Sequence, residues 1–309
     1  MEAREQHSAS VPWYRRRRVH VALGLAGALL TAFWAGQRAT DGVRANLDSR
    51  LRDAGAGADA AIVTLEAEQL SALRAVEFTQ GVGHSLATLD VATLNRLVTP
   101  IQGNADVPMV DIALPDGRIV LAVRSGGAPS PVASRAGMPA IAQTIRQAHG
   151  PRGGRFTLLA LFRSGPTLVT IGPILDGTKV VGVALAMTPL ADALGRFSQQ
   201  VGAALTAYDR NGRPLATTVA YQPQAVDKDT AQTLFAGGAT VTRYLHGSDR
   251  EMLGRLVLDH RPVAVLGTAL NDNSEATGRA VFLYAVIGLL CVMLIGGSCA
   301  RRRANSWWR

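Results

Sequence analysis

Residues 166–190, PTLVTIGPILDGTKVVGVALAMTPL, set two apolar runs on either side of Asp176-Gly177 and carry the second run directly into a segment opened by Pro189. Asp-Gly between β-branched runs is a strong short-range hairpin signal, because the central residues of such a turn need positive φ. The stretch predicts a β-hairpin that feeds a helix. Val180, Val181 and Val183 give the return strand stiff β-formers, and Gly182 among them marks a bulge or a close approach.

The same pattern of apolar run, acidic or amide residue, Gly, basic residue and apolar run recurs. Asp116-Gly117-Arg118 separates VPMVDIAL from IVLAV, and Asn211-Gly212-Arg213 separates AALTAYD from PLATT. Asp259-His260-Arg261 separates RLVL from VAVLGTAL without the turn glycine, a weaker match. Each half of the chain opens with one such hairpin and closes with another, with a helical segment between, from Met138 and from Asp227. An internally duplicated α+β unit follows.

At 309 residues the chain has room for two domains on a prior of about 150 residues each. Its formal charge of +9 is concentrated at the ends: residues 1–18 contribute +3, residues 301–309 contribute +4, and everything between contributes +2. A nucleic-acid-binding domain concentrates Lys and Arg on a folded surface, so no nucleic-acid partner is expected. Arginine runs at 15–18 and 301–303, each beside an apolar stretch, read instead as topology signals. Val19–Ala35 is apolar except for His20 and Thr31, and 280–300 carries no charge over 21 residues, enough to span about 30 Å of hydrocarbon. Phe33 and Trp34 and the lack of a small-x-small site before Gln37 favour an uncleaved anchor over a cleaved signal peptide. Both termini are then cytoplasmic, residues 38–279 extracytoplasmic, and the lipid bilayer a partner. Both cysteines, Cys291 and Cys299, lie in the last apolar run, so there is no disulfide framework.

Between the apolar stretches, Leu47, Leu51, Ala54, Ala58, Ala61, Leu65, Ala72 and Val76 recur at helical spacing and predict a long amphipathic helix over 38–79, with a kink or break at Gly55 and Gly57. Its apolar stripe packs on the domain's own sheet or, toward Leu47–Leu65, on a second subunit in a homodimer. A helix over 86–101, a loop at 126–131, a strand over 155–163, a linking helix over 190–201, and then a helix at 228–236 and strands at 239–245, 253–258 and 263–270 complete the reading. The expected organisation is a basic tail 1–18, a transmembrane helix 19–36, a long helix plus first unit 37–201, a second unit 202–275, a transmembrane helix 280–300 and a tail 301–309.

An anchor, a long helix, two PAS-like units and a second anchor resemble the double Cache (dCache) sensor module of bacterial chemoreceptors, histidine kinases and cyclases, over roughly residues 38–275. GPILDGTKVVGVALAMTPL is similar to the strand pair that closes the membrane-distal Cache unit of that family. The resemblance implies an α+β fold of two PAS-like Cache units on a long N-terminal helix. It also implies a sensor that binds a small molecule and signals through a separate partner, since only nine residues follow 280–300. The amino-acid-binding subgroup uses an Arg, an aromatic pair and an Asp; here Arg74 precedes Phe78 without the Trp-Tyr pair, so amino-acid specificity is not carried over.

The expected pocket is lined by the C-terminal part of the long helix and the concave sheet face of the first unit. That nominates Arg74, Phe78, Asp111, Phe156, Phe162 and Arg163. Guanidinium beside an aromatic wall suits an anionic or zwitterionic ligand. Asp111 stands inside an apolar strand, where a buried carboxylate needs a partner. No nucleophile elbow, phosphate loop or zinc-type His spacing is present, so neither catalysis nor a metal or other cofactor is expected. The competing reading is a membrane-anchored scaffold whose Cache-like fold binds no ligand.

Overall fold

The computed structural model describes residues 13–125, 134–150, 153–245, 249–271 and 276–288, with the side chains of 13–25 and 271 excluded. The expected loop at 126–131, residues 289–300 of the second expected span, the tail 301–309 and residues 1–12 of the first tail lie outside these. Among the described residues no helix is long and apolar enough to cross a membrane.

Helix α1 (Trp13–Phe78) runs unbroken for 66 residues, through both glycines at which the sequence predicts a break. The reason is packing. A Cβ on Gly55 would lie 2.8 Å from Met252 Cε, and one on Gly57 2.9 Å from Val201 Cγ1, so each glycine marks a close approach. Close contact offsets the cost of about 1 kcal/mol that each imposes on a helix. Ala58, Ile62 and Leu65 pack with Leu205, Leu256, Leu258 and Leu266; Ala72, Leu73 and Val76 pack with Val110, Ile112, Ala184 and Ala186. From Ala58 to Val76 the apolar stripe thus packs on the chain's own sheets.

The single helix expected over 86–101 is two, α2 (Val82–Ala87) and α3 (Val91–Asn104). Leu89 turns the chain in the left-handed region at φ 58°, and the Asp90 carboxylate caps α3 by accepting from the Thr93 N–H at 3.1 Å.

The first sheet follows: β1 (Met109–Ala113), β2 (Ile119–Arg124), α4 (Pro139–Gln147), β3 (Phe156–Phe162), β4 (Gly165–Asp176) and β5 (Lys179–Pro189), with strand order β2-β1-β5-β4-β3. Helix α5 (Leu190–Val201) leads to β6 (Ala204–Tyr208), β7 (Pro214–Thr217), α6 (Lys228–Phe235), β8 (Val241–Tyr244), β9 (Asp249–Leu258) and β10 (Arg261–Asn271), ordered β7-β6-β10-β9-β8. The two orders are the same, so the repeat in the sequence is a repeat of topology.

Hairpin details follow the residues. Asp176 pairs with Lys179, so the turn is Gly177-Thr178, one position beyond the expected Asp-Gly pair, and Gly177 takes φ 63°. Ile174 pairs with Gly182 and Leu175 with Val180, which leaves Val181 as a bulge. Gly182 also lies where a Cβ would be 2.4 Å from the Ala113 carbonyl oxygen, so it serves both expected purposes. Asp259 and His260 adopt φ 45° and 63° without glycine, and the Asp259 N–H donates to Glu66 Oε1 at 2.9 Å.

The first sheet buries both faces with period two. Val110, Ile112, Ala184 and Ala186 face α1, α2 and α3. Ala113, Val183, Leu185 and Met187 face α4, together with Ile141. Asp111 alternates onto this second face.

Among the described residues, those up to Ser49 and those from Asn271 form one compact unit and those of Arg50–Leu270 another. In the first of these, α1 and the helical segment 276–288 meet backbone to backbone: a Cβ on Gly278 would lie 2.0 Å from Thr40 Oγ1 and 3.2 Å from the Gly36 carbonyl oxygen.

Candidate ligand-binding site

Asp111 sits mid-strand in β1 with its side chain fully buried. A buried carboxylate must be neutralised, and here two guanidiniums do so. Arg124 ends β2. Asp111 pairs with Ala122 across the strands, so Arg124, two residues on, is the diagonal neighbour on the same face, and its Nη1 lies 2.5 Å from Oδ1. Arg135 arrives from the segment before α4, with Nη2 3.1 Å from Oδ2.

The turn of the first hairpin sets Arg135 in place. Its backbone N–H donates to the Gly117 carbonyl at 2.8 Å. Gly117 takes φ 83°, and a Cβ there would lie 2.7 Å from the Ala136 nitrogen, so only glycine admits the crossing. The Arg135 guanidinium then lies over the Phe162 ring, 4.0 Å from its centroid. Phe156, Phe162 and Met187 belong to the apolar cluster of the same face.

The cluster holds two positive charges against one negative, behind a largely buried surface: Arg124 is 16% and Arg135 14% exposed. Three polar atoms on this face, Asp111 Oδ1, Arg135 Nε and Thr144 Oγ1 of α4, are buried without a hydrogen bond among the described residues; Arg124 meets Oδ1 as an ion pair only. Leaving such groups unsatisfied costs about 1–3 kcal/mol each.

Arg74, Phe78 and Arg163, also named by the sequence, are elsewhere. Arg74 and Phe78 are exposed on the last turns of α1, and α1 packs on the opposite face of the sheet from Asp111. Arg163 is exposed in the turn between β3 and β4. The pocket expected between the long helix and the sheet is therefore not the one that Asp111 faces. Behind the sheet, Glu77 on α1 pairs with Arg155, whose Nε donates to Oε2 at 2.9 Å. Gly172 leaves room for this pair, since a Cβ there would lie 2.1 Å from Glu77 Oε1. Burial pushes the Glu77 carboxyl up from its ordinary range, against the opposing pull of Arg155.

Arg124, Arg135, Glu77 and Arg155 are not among the residues nominated from the sequence. Arg124 had a readable signal, a cation of the right parity two residues beyond the partner of Asp111. Arg135 had none, because its approach depends on the Gly117 crossing. A further concavity of about 560 Å³ runs along α1 between Ile62, Val63, Glu66, Leu70, Val257 and His260. Burial raises the Glu66 carboxyl there, partly offset by the Asp259 N–H bond.

The second sheet treats the equivalent positions differently. The N–H of Val226, not of an arginine, donates to the turn glycine Gly212 at 2.8 Å. Counted back from the turn glycine, Thr206 stands where Asp111 does, and its Oγ1 lies 2.7 Å from Thr217 Oγ1. Among the described residues, the position of Asp111 thus has no carboxylate counterpart at Thr206 in the second sheet.

No family model matches the sequence, and no curated protein matches it. Solved structures do. The extracellular domain of the histidine kinase candidate vpHK1S-Z8 superposes with a TM-score of 0.55 at 11% identity, covering 79% of this chain and 96% of that one. The sensory domain of the Campylobacter jejuni chemoreceptor Tlp3 superposes with a TM-score of 0.51 at 11% identity, covering 78% and 99%. The same receptor's ligand-binding domain in complex with 4-methylisoleucine gives 0.50 at 10% identity, covering 76% and 93%. Identity this low speaks for fold alone. With the long helix, the duplicated strand order and these superpositions together, the chain carries the double Cache fold of chemoreceptor and histidine-kinase sensor domains.

Proposed function

We propose that this protein is a membrane-anchored extracytoplasmic sensor that binds a small anionic molecule on the α4 face of its first sheet and hands the event to a signalling partner. The observation that carries the reading is the Asp111–Arg124–Arg135 cluster: a buried site with one positive charge in excess and an Arg135 N–H unpartnered among the described residues. A carboxylate would neutralise that charge and accept from Arg135, with the Phe162 and Phe156 rings as its apolar wall. The similar folds of the vpHK1S-Z8 and Tlp3 domains support a sensor role. The arginine runs at 15–18 and 301–303 beside apolar stretches 19–36 and 280–300 support two anchors with residues 38–279 outside the cytoplasm.

The test is thermal unfolding of the full chain with a panel of small carboxylates and with matched amines. A ligand at 100 times its Kd adds about 2.7 kcal/mol of stability. At least one carboxylate should raise the melting temperature, the amines should not, and Arg135→Gln should abolish the shift. If no carboxylate shifts the parent, or if Arg135→Gln responds as the parent does, the site is structural and the scaffold reading stands.

A further inference from the structure

The α6 face of the second sheet is built around another buried carboxylate, and there every partner is present. Glu251 of β9 is fully buried, and Gly267 of β10 makes room for it: a Cβ there would lie 2.0 Å from Glu251 Oε1. The Tyr208 hydroxyl donates to Oε1 at 2.8 Å. Against these groups lies the guanidinium of Arg243, carried on β8, the short edge strand of the sheet. Its Nε donates to Glu251 Oε2 at 2.6 Å and its Nη2 to the Tyr208 hydroxyl at 3.0 Å. Its Nη1 and Nη2 also donate, each at 2.8 Å, to the carbonyls of Ala225 and Gln224 in the segment leading to α6. The Tyr208 ring flanks the cation, 5.4 Å from the guanidinium carbon.

Four acceptors from three separate parts of the chain thus converge on one planar cation. A carboxylate, a hydroxyl and two carbonyls match the in-plane N–H groups of a guanidinium, and an ammonium, with three donors on one atom, cannot reach all of them. We propose that this face is a guanidinium-binding site that the chain fills itself, with Arg243 as a built-in ligand. The inference is independent of ligand binding in the first unit. The Asp111 cluster of the first unit has a cation in excess, whereas here Glu251 and Arg243 balance and the site is occupied by the chain itself.

The experiment uses the full chain with Arg243→Ala, which removes the atoms of ethylguanidinium and keeps the strand. The variant should melt lower than the parent. Ethylguanidinium should restore most of the loss in a saturable way, ethylammonium at equal ionic strength should not, and the parent should gain from neither. Adding Glu251→Gln to Arg243→Ala should erase the rescue. Should Arg243→Ala not fold unaided, recovery of folded protein with ethylguanidinium but not with ethylammonium carries the same meaning. No rescue by ethylguanidinium, equal rescue by ethylammonium, or rescue that survives Glu251→Gln would overturn the assignment.

Discussion

Glu77 and Arg155, 78 residues apart in the chain, meet in a buried ion pair that ties the last turn of α1 to the start of β3. The Glu77 side chain is 2% exposed, so its charge has no recourse to water. Arg155→Met should therefore cost about 3–5 kcal/mol at neutral pH, because it leaves an uncompensated buried charge. The sign with pH is definite. A carboxyl whose folded pKa is raised contributes stability below its unfolded pKa and loses it as pH rises through the folded value. Arg155→Met should regain part of its deficit on acidification toward pH 4, measured by denaturant titration at several pH values; a deficit that stays constant or grows would contradict the pairing.

Asp111→Asn keeps shape and volume and strips the charge from between Arg124 and Arg135. It should destabilise by about 3–5 kcal/mol, as removal of one partner of a buried pair does. Arg74→Ala, exposed on the far side of the sheet from Asp111, should stay within about 0.5 kcal/mol of the parent and leave any carboxylate response intact. Chemical denaturation of both variants separates the two positions.

Three glycines should part company on substitution by alanine. Gly55→Ala gains about 1 kcal/mol of helix propensity and meets only the mobile thioether of Met252, so it should be near neutral or stabilising. Gly57→Ala meets the β-branched Val201 and should lose about 1–3 kcal/mol to overpacking. Gly172→Ala would displace the Glu77 carboxylate and should lower the melting temperature furthest of the three.

Glu66 offers a gentler pH test. Burial raises its carboxyl, so ionisation above the folded pKa works against the fold. Glu66→Gln can still accept from the Asp259 N–H and carries no charge. Its melting temperature should exceed the parent's at pH 8 and converge with it near pH 4; the reverse order would mean that the charge itself is stabilising.

Much of the architecture was legible because it depends on local signals. The repeat of Asp116-Gly117, Asn211-Gly212 and Asp176-Gly177 announced both sheets, and the Leu47–Val76 spacing announced α1. The α2–α3 break was missed because Leu89, a residue with no turn preference, supplies the positive φ. Asp111 and the two phenylalanines were legible as a carboxylate and aromatics within strands. Helix spacing tells which residues share a stripe but not which face of a sheet the stripe covers, so it cannot separate Arg74 and Phe78 from Asp111. Arg135 and Arg243 reach their carboxylates by tertiary paths that no spacing encodes.

Gln69 gives α1 a property that its apolar stripe cannot. Apolar contacts are non-directional, whereas a buried amide accepts only one set of partners. Gln69, 1% exposed, donates to Thr188 Oγ1 at 2.9 Å and accepts from Thr170 Oγ1 at 2.7 Å. A shift of one residue moves the helix about 1.5 Å and turns it about 100°, which would strand all these groups in a dry interior. The side chain acts as a tooth set between β4 and β5. Gln69 thus fixes the register of α1 on the first sheet, and the same helix seats Ala58, Ile62 and Leu65 on the second.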